Sequence, residues 1–251
     1  MICIIDWNNM NLSEYIRPFR FKSMMMSLSG IVLGTLLAAA DYHVNFLVAL
    51  AMAAAVLSLQ VFTTIIPGIL FAFVTVWLSY GSILSMESLI VLFMGYFAYR
   101  LVKGHSPESG LFRNGIVVTL STWVIYGFLP IYGTYFITSH SFGNVMLLLP
   151  VLSIGSLCLA AVNSDYLSDS RTRFFHTLWV CVGIAAMVLY SCMRIFDPAH
   201  FLYLVMIPVF AWLLVKVWRK GDTPEGYDVI FSSSLLAFAI LSGAGFLVYL
   251  I

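Results

Sequence analysis

Apolar residues run along this chain in long, unbroken stretches separated by short polar turns. Residues 145–162, for example, contain no charged side chain. A membrane strand would alternate apolar and polar positions, which these stretches do not. Lipid admits only helices and closed barrels, because backbone polar groups find no water there. Runs of roughly 17–25 apolar residues have the length of a membrane-crossing helix. The pattern predicts nine such spans, over residues 24–40, 45–66, 69–83, 88–102, 116–138, 145–163, 175–193, 201–217 and 229–251. Spans two and three join through Pro67-Gly68 with no charged loop, so a kinked or re-entrant hairpin is an alternative there.

Composition agrees with this pattern. Of 251 residues, 62% are hydrophobic and 9% charged, whereas a soluble domain carries roughly 25% charged residues. The expected fold class is an all-α integral membrane protein, residues 1–251 forming a single transmembrane domain. The distribution of lysine and arginine tests the span count. With the N-terminus in the cytoplasm, eleven of the twelve basic residues fall on the cytoplasmic side and only Arg194 outside. Cytoplasmic loops carry such an excess of Lys and Arg. Adding or removing one span would reverse every later loop and destroy the asymmetry. Residues 1–22 read as a short amphipathic cytoplasmic segment leading into span one. They lack the basic start and apolar stretch of a cleavable signal.

Candidate chemistry is concentrated after span six. There Asn163-Ser164-Asp165-Tyr166-Leu167-Ser168-Asp169-Ser170-Arg171-Thr172-Arg173 brings together the densest charge in the chain. Asp165 and Asp169 are four apart, which places both carboxylates on one face of a helix. Such a pair can hold one partly hydrated Mg²⁺, and that ion can hold a diphosphate. A helix end meeting water is the simpler account of the same residues. Arg100, Lys103, Arg171 and Arg173 are candidate phosphate contacts; they serve equally as topological charges facing anionic lipid heads. The four cysteines show no metal-ligand spacing, the five histidines are scattered, and no P-loop, nucleotide-binding fingerprint or nucleophile elbow is present. Nothing in the sequence calls for a nucleic-acid partner.

Several segments resemble the UbiA superfamily of intramembrane prenyltransferases, nearest to the 1,4-dihydroxy-2-naphthoate prenyltransferases of menaquinone biosynthesis. They are Ile16-Arg17-Pro18 through Gly34-Thr35-Leu36, Gly95-Tyr96-Phe97-Ala98-Tyr99, Gly127 with Gly133-Thr134-Tyr135-Phe136, and Leu148-Leu149-Pro150 through Asp165-Tyr166-Leu167-Ser168-Asp169. Their order and spacing match over most of the chain, and the family also has nine spans. The resemblance implies a UbiA-like bundle in a bacterial-type inner membrane. It further implies a polyprenyl diphosphate and an aromatic acceptor such as 1,4-dihydroxy-2-naphthoate as substrates, and Mg²⁺ as cofactor. Asp165 and Asp169 would be the catalytic and metal-binding pair. Asn163, Arg100, Lys103, Arg171 and Arg173 would contact substrate.

This chain departs from the family at the first Asp-rich motif. The matching stretch, residues 60–71 beginning at Gln60, has no carboxylate. Two readings stay open: a prenyltransferase working with one Asp-rich motif, or a non-catalytic relative that binds isoprenoid lipid or supports a partner enzyme. A transporter is disfavoured because the acidic residues lie at span ends and in loops rather than inside spans.

Overall fold

A computed structural model describes residues 18–61, 77, 119–120, 122–141, 143–164, 167, 169–194, 197–220 and 226–248; for residues 18–20, 55–61 and 220 it describes the backbone alone. Span three apart from Trp77, span four, Arg100, Lys103 and Asp165 lie outside the described residues. Every described element is a helix. We label them α1 (Pro18–Asp41), α2 (Phe46–Val61), α3 (Leu129–Ser139), α4 (Leu148–Asn163), α5 (Ser170–Met193), α6 (Ile207–Lys220) and α7 (Tyr227–Leu247). Five helical stretches are long and apolar enough to cross a membrane: Phe21–Asp41, Val145–Asn163, Ser170–Met193, Pro198–Arg219 and Tyr227–Leu247. The chain is thus a membrane-embedded protein whose described elements are all helical.

Three helices have irregular entries, each with a local cause. A π-helical turn, Trp123–Phe128, leads into α3. Pro130 follows it and supplies no N–H, and its ring crowds the carbonyl four residues back, which is that of Tyr126. Widening the turn relieves that crowding, and the Leu129 N–H bonds to the Val124 oxygen, five residues back. A short 3₁₀ turn, Val145–Leu147, leads into α4 behind Asn144, whose side chain accepts from the Met146 N–H. A longer 3₁₀ stretch, Pro198–Met206, leads into α6 behind Asp197, whose carboxylate accepts from the Ala199 N–H at 2.7 Å.

Helices α1 and α7 run side by side in the same direction, as do α1 and α3, whereas α4 and α5 are antiparallel. α1 lies against α7 and α3; α4 lies against α5 and the π-helical turn; α2 covers α1 and α3. A column of rings descends α7. Tyr227 stacks on Phe231, Phe210 of α6 meets both Phe231 and Phe238, and Tyr203 meets Phe238, with centroids 5.2–5.9 Å apart. Such pairs add about 0.5–1.5 kcal/mol each beyond area burial. Close helix approaches occur at small residues, as is usual in membranes. A Cβ on Gly34 would lie 2.6 Å from the Ile131 carbonyl oxygen and 3.0 Å from its Cα. Backbone cannot retreat from that contact as a flexible side chain can. Gly34→Val should therefore push α1 from α3 and destabilise the protein by about 1–3 kcal/mol. Thermal unfolding in detergent measures this; an unchanged midpoint would show that the two helices do not pack this closely.

Candidate functional site

The charged side chains of the described helices gather at the two ends of the bundle. One end holds the start of α1, the end of α4, the starts of α5 and α7, and the end of α6. Lys22, on α1, is buried there with 3% exposure. Its Nζ donates to Ser164 Oγ at 2.8 Å and to Asp228 Oδ1 at 3.3 Å. The Ser164 hydroxyl faces Asp228 Oδ1 and the Ala161 carbonyl oxygen, with a single proton to give. Helix α1 runs from Pro18, so Lys22 lies on its second turn. Gly226, at φ +72°, turns the chain into α7 and sets Asp228 in its first turn, within reach of Lys22. That left-handed conformation favours glycine, and no neighbour restricts the space around it.

A second buried cluster adjoins the first. His176, on α5, is fully buried. Its Nδ1 lies 2.7 Å from the Ala160 carbonyl oxygen and its Nε2 2.7 Å from the Tyr227 hydroxyl. A carbonyl only accepts, so Nδ1 carries the proton, and in the neutral ring Nε2 accepts from Tyr227. Tyr227 and Asp228 are neighbours in the chain. The two clusters therefore tie α1, α4, α5 and α7 together at one level.

The acidic pair of the sequence now divides. Asp165 lies outside the described residues. Asp169 is exposed and caps α5: its Oδ2 accepts from the Thr172 N–H at 3.1 Å and from the Thr172 hydroxyl at 3.3 Å. The Thr172 N–H holds the Asp169 carboxyl below its ordinary value, against an opposing desolvation, and Arg171 adds to the lowering. Arg171 is exposed and Asn163 half-buried. Arg173 donates from a guanidinium nitrogen to the Leu167 carbonyl oxygen at 3.3 Å and lies 5.8 Å from the ring centre of Trp218. It joins the α4–α5 connection to α6. Trp218 Nε1 donates to Thr177 Oγ1 at 3.0 Å and fixes the end of α6 beside the start of α5. Among the described residues, no three potential metal ligands come together, and Asp169 by itself is too little for Mg²⁺.

The opposite end is built differently. Asp41 at the end of α1 pairs with Arg194 at the end of α5 and accepts from the Tyr135 hydroxyl at 2.8 Å. The guanidinium also lies 5.5 Å from the ring centres of Tyr190 and Phe246. Arg194, the one basic residue that the sequence places on the far side, is matched there by a carboxylate.

Lys22, Ser164, His176, Tyr227 and Asp228 were not among the sequence candidates. Lys22 and Asp228 were legible only as charges near span ends, and nothing local links residues 206 positions apart. No family model, curated protein or solved structure matches the chain.

Removing one partner from a buried ion pair leaves an uncompensated charge, at a typical cost of about 3–5 kcal/mol. Asp228 retains a quarter of its side-chain exposure, so Asp228→Ala should fall at or below the lower limit. Lys22→Met/Asp228→Leu should recover most of the loss, since a buried pair and an apolar pair are close in free energy. Unfolding midpoints of the two single variants and the double variant measure this. A double variant as unstable as the sum of the singles would remove the coupling.

Proposed function

We propose that this protein is a UbiA-type membrane prenyltransferase with nine spans and a cytoplasmic N-terminus, in a bacterial-type inner membrane. It transfers a polyprenyl group from polyprenyl diphosphate to an aromatic quinone precursor such as 1,4-dihydroxy-2-naphthoate. The observation that carries this reading is the gathering of charge at one end of an apolar bundle. Lys22, Asp169, Arg171, Arg173, Lys216 and Arg219 share that end, while the other end holds the matched Asp41–Arg194 pair. A diphosphate arriving on a lipid tail needs cations where the apolar helices stop. In the reaction, the allylic C–O bond breaks and its electron pair leaves with the diphosphate. An aromatic ring carbon bonds to the prenyl carbon, and the ring sheds the group it held there. Arg171 and Arg173, with Arg100 and Lys103, neutralise the departing diphosphate. Asn163 adds a polar contact. Mg²⁺, bound at Asp165 and Asp169, belongs to the same proposal.

The Asp169 cap favours a second reading. A carboxylate that accepts from Thr172 already has a structural task, which suits a relative that binds isoprenoid lipid without turning it over. Replacement by serine separates the two, because serine also caps helices but carries no charge. Membranes are given Mg²⁺, labelled polyprenyl diphosphate and 1,4-dihydroxy-2-naphthoate. Catalysis predicts labelled product from the wild type, and its loss in Asp165→Ala, Asp169→Ala and Asp169→Ser alike. Retained product in Asp169→Ser would reduce Asp169 to a cap. Retained label without product in the wild type supports the binding reading.

The cap also has a pH signature. A carboxyl whose folded value lies below its unfolded value stabilises the fold above the unfolded value. That contribution is lost as pH falls through the folded value. Amide exchange at Thr172 should therefore quicken as pH falls through the lowered folded value of the Asp169 carboxyl, after correction for intrinsic rates. It should not do so in Asp169→Ser.

A further inference from the structure

Helix α6 is the least embedded of the five membrane-length helices. Only 22% of the stretch Pro198–Arg219 is buried, against 39–67% in the other four. Phe210, Leu213 and Val217 form its buried seam, at helical spacing. The remaining face is exposed and has a definite chemistry. Trp212, Val215 and Trp218 are each close to half exposed, and Lys216 and Arg219, three apart, stand among them on the last turns.

Two of the aromatic rings carry a cation. Lys216 Nζ lies 3.7 Å from the ring centre of Trp212, and Arg173 of α5 lies 5.8 Å from that of Trp218. Indole rings prefer the boundary between hydrocarbon and headgroups. A lysine lying along a ring keeps its stem in apolar surroundings while its charge meets the ring face. Below the rings the exposed face is apolar, through Ala211, Pro208 and Ile207. The face is therefore cationic at the boundary and oily beneath it. Acidic side chains are absent from α6 itself. The charge and the apolar stripe together match an amphiphile with an anionic head and acyl chains.

The geometry points to an anionic diacyl phospholipid bound on the outer face of α6, its phosphate between Lys216 and Arg219 and its chains along Val215, Ala211 and Pro208. This site is lateral to the bundle and does not rest on the prenyltransferase reading. Native mass spectrometry of the detergent-solubilised chain, given equal phosphatidylglycerol and phosphatidylcholine, tests it. Phosphatidylglycerol should be retained in preference to phosphatidylcholine. Lys216→Gln/Arg219→Gln should lower that retention by about tenfold or more, while Lys216→Arg/Arg219→Lys keeps it. Glycerol 3-phosphate at the same concentration should not compete, since it lacks the chains. Equal retention of the two lipids by the wild type would overturn the inference, whatever the variants do. So would undiminished retention in the glutamine variant, or full competition by glycerol 3-phosphate.

Discussion

A lysine ammonium inside an apolar bundle must be answered, and Lys22 is answered from two other helices. Ser164 comes from the end of α4 and Asp228 from the start of α7. The solvation lost on burying such a charge amounts to several kcal/mol, so the partners have to arrive together and in register. That requirement sets α4's end level with the starts of α1 and α7. His176 and Tyr227 extend it to α5, because the ring bonds Ala160 on one side and Tyr227 on the other. In lipid, apolar packing distinguishes poorly between one helix register and the next. Polar groups with single acceptable partners make that distinction.

The far end is closed by the same logic with different parts. Asp41, Arg194 and Tyr135 join α1, α5 and α3, and the rings of Tyr190 and Phe246 flank the guanidinium. Between the two ends the buried polar groups of the described residues are small hydroxyls, and those of Ser29, Thr35, Ser232 and Ser242 turn back to carbonyls of their own helices. Helices fixed at both ends and oily between them leave their outer faces to differ. α6, held along one seam, therefore has the most surface for lipid.

Much of the helical layout could be read from apolar run length. The sixth span was placed at 145–163, and the helical stretch found there is Val145–Asn163. The seventh began five residues late, because Arg171 and Arg173 look like loop residues when only hydropathy is weighed. In the fold, Asp169 starts the helix ahead of them. Of the candidate site, the charged end was legible and its wiring was not. Asp169 drew attention as a metal ligand, yet the contact found for it is a helix cap, a pattern already written in Asp169-Ser170-Arg171-Thr172. Lys22 and Asp228 were invisible as a pair because their meeting depends on the packing of the first helix against the last.

The π-helical turn at Trp123–Phe128 has a consequence for the ancestry of this chain. A turn of this kind accommodates one residue more than the helix around it needs. Each residue of an α-helix advances the direction of the next by about 100°, so every position after the turn faces where its neighbour would otherwise face. Here that rotation brings Gly127 against Gly155 and leaves Ile131 against Gly34. A relative lacking the extra residue would present a different stripe of side chains to α1 and α4 from nearly the same string of letters. Comparisons that slide such helices past one another without a gap would then pair residues that point about 100° apart around the helix.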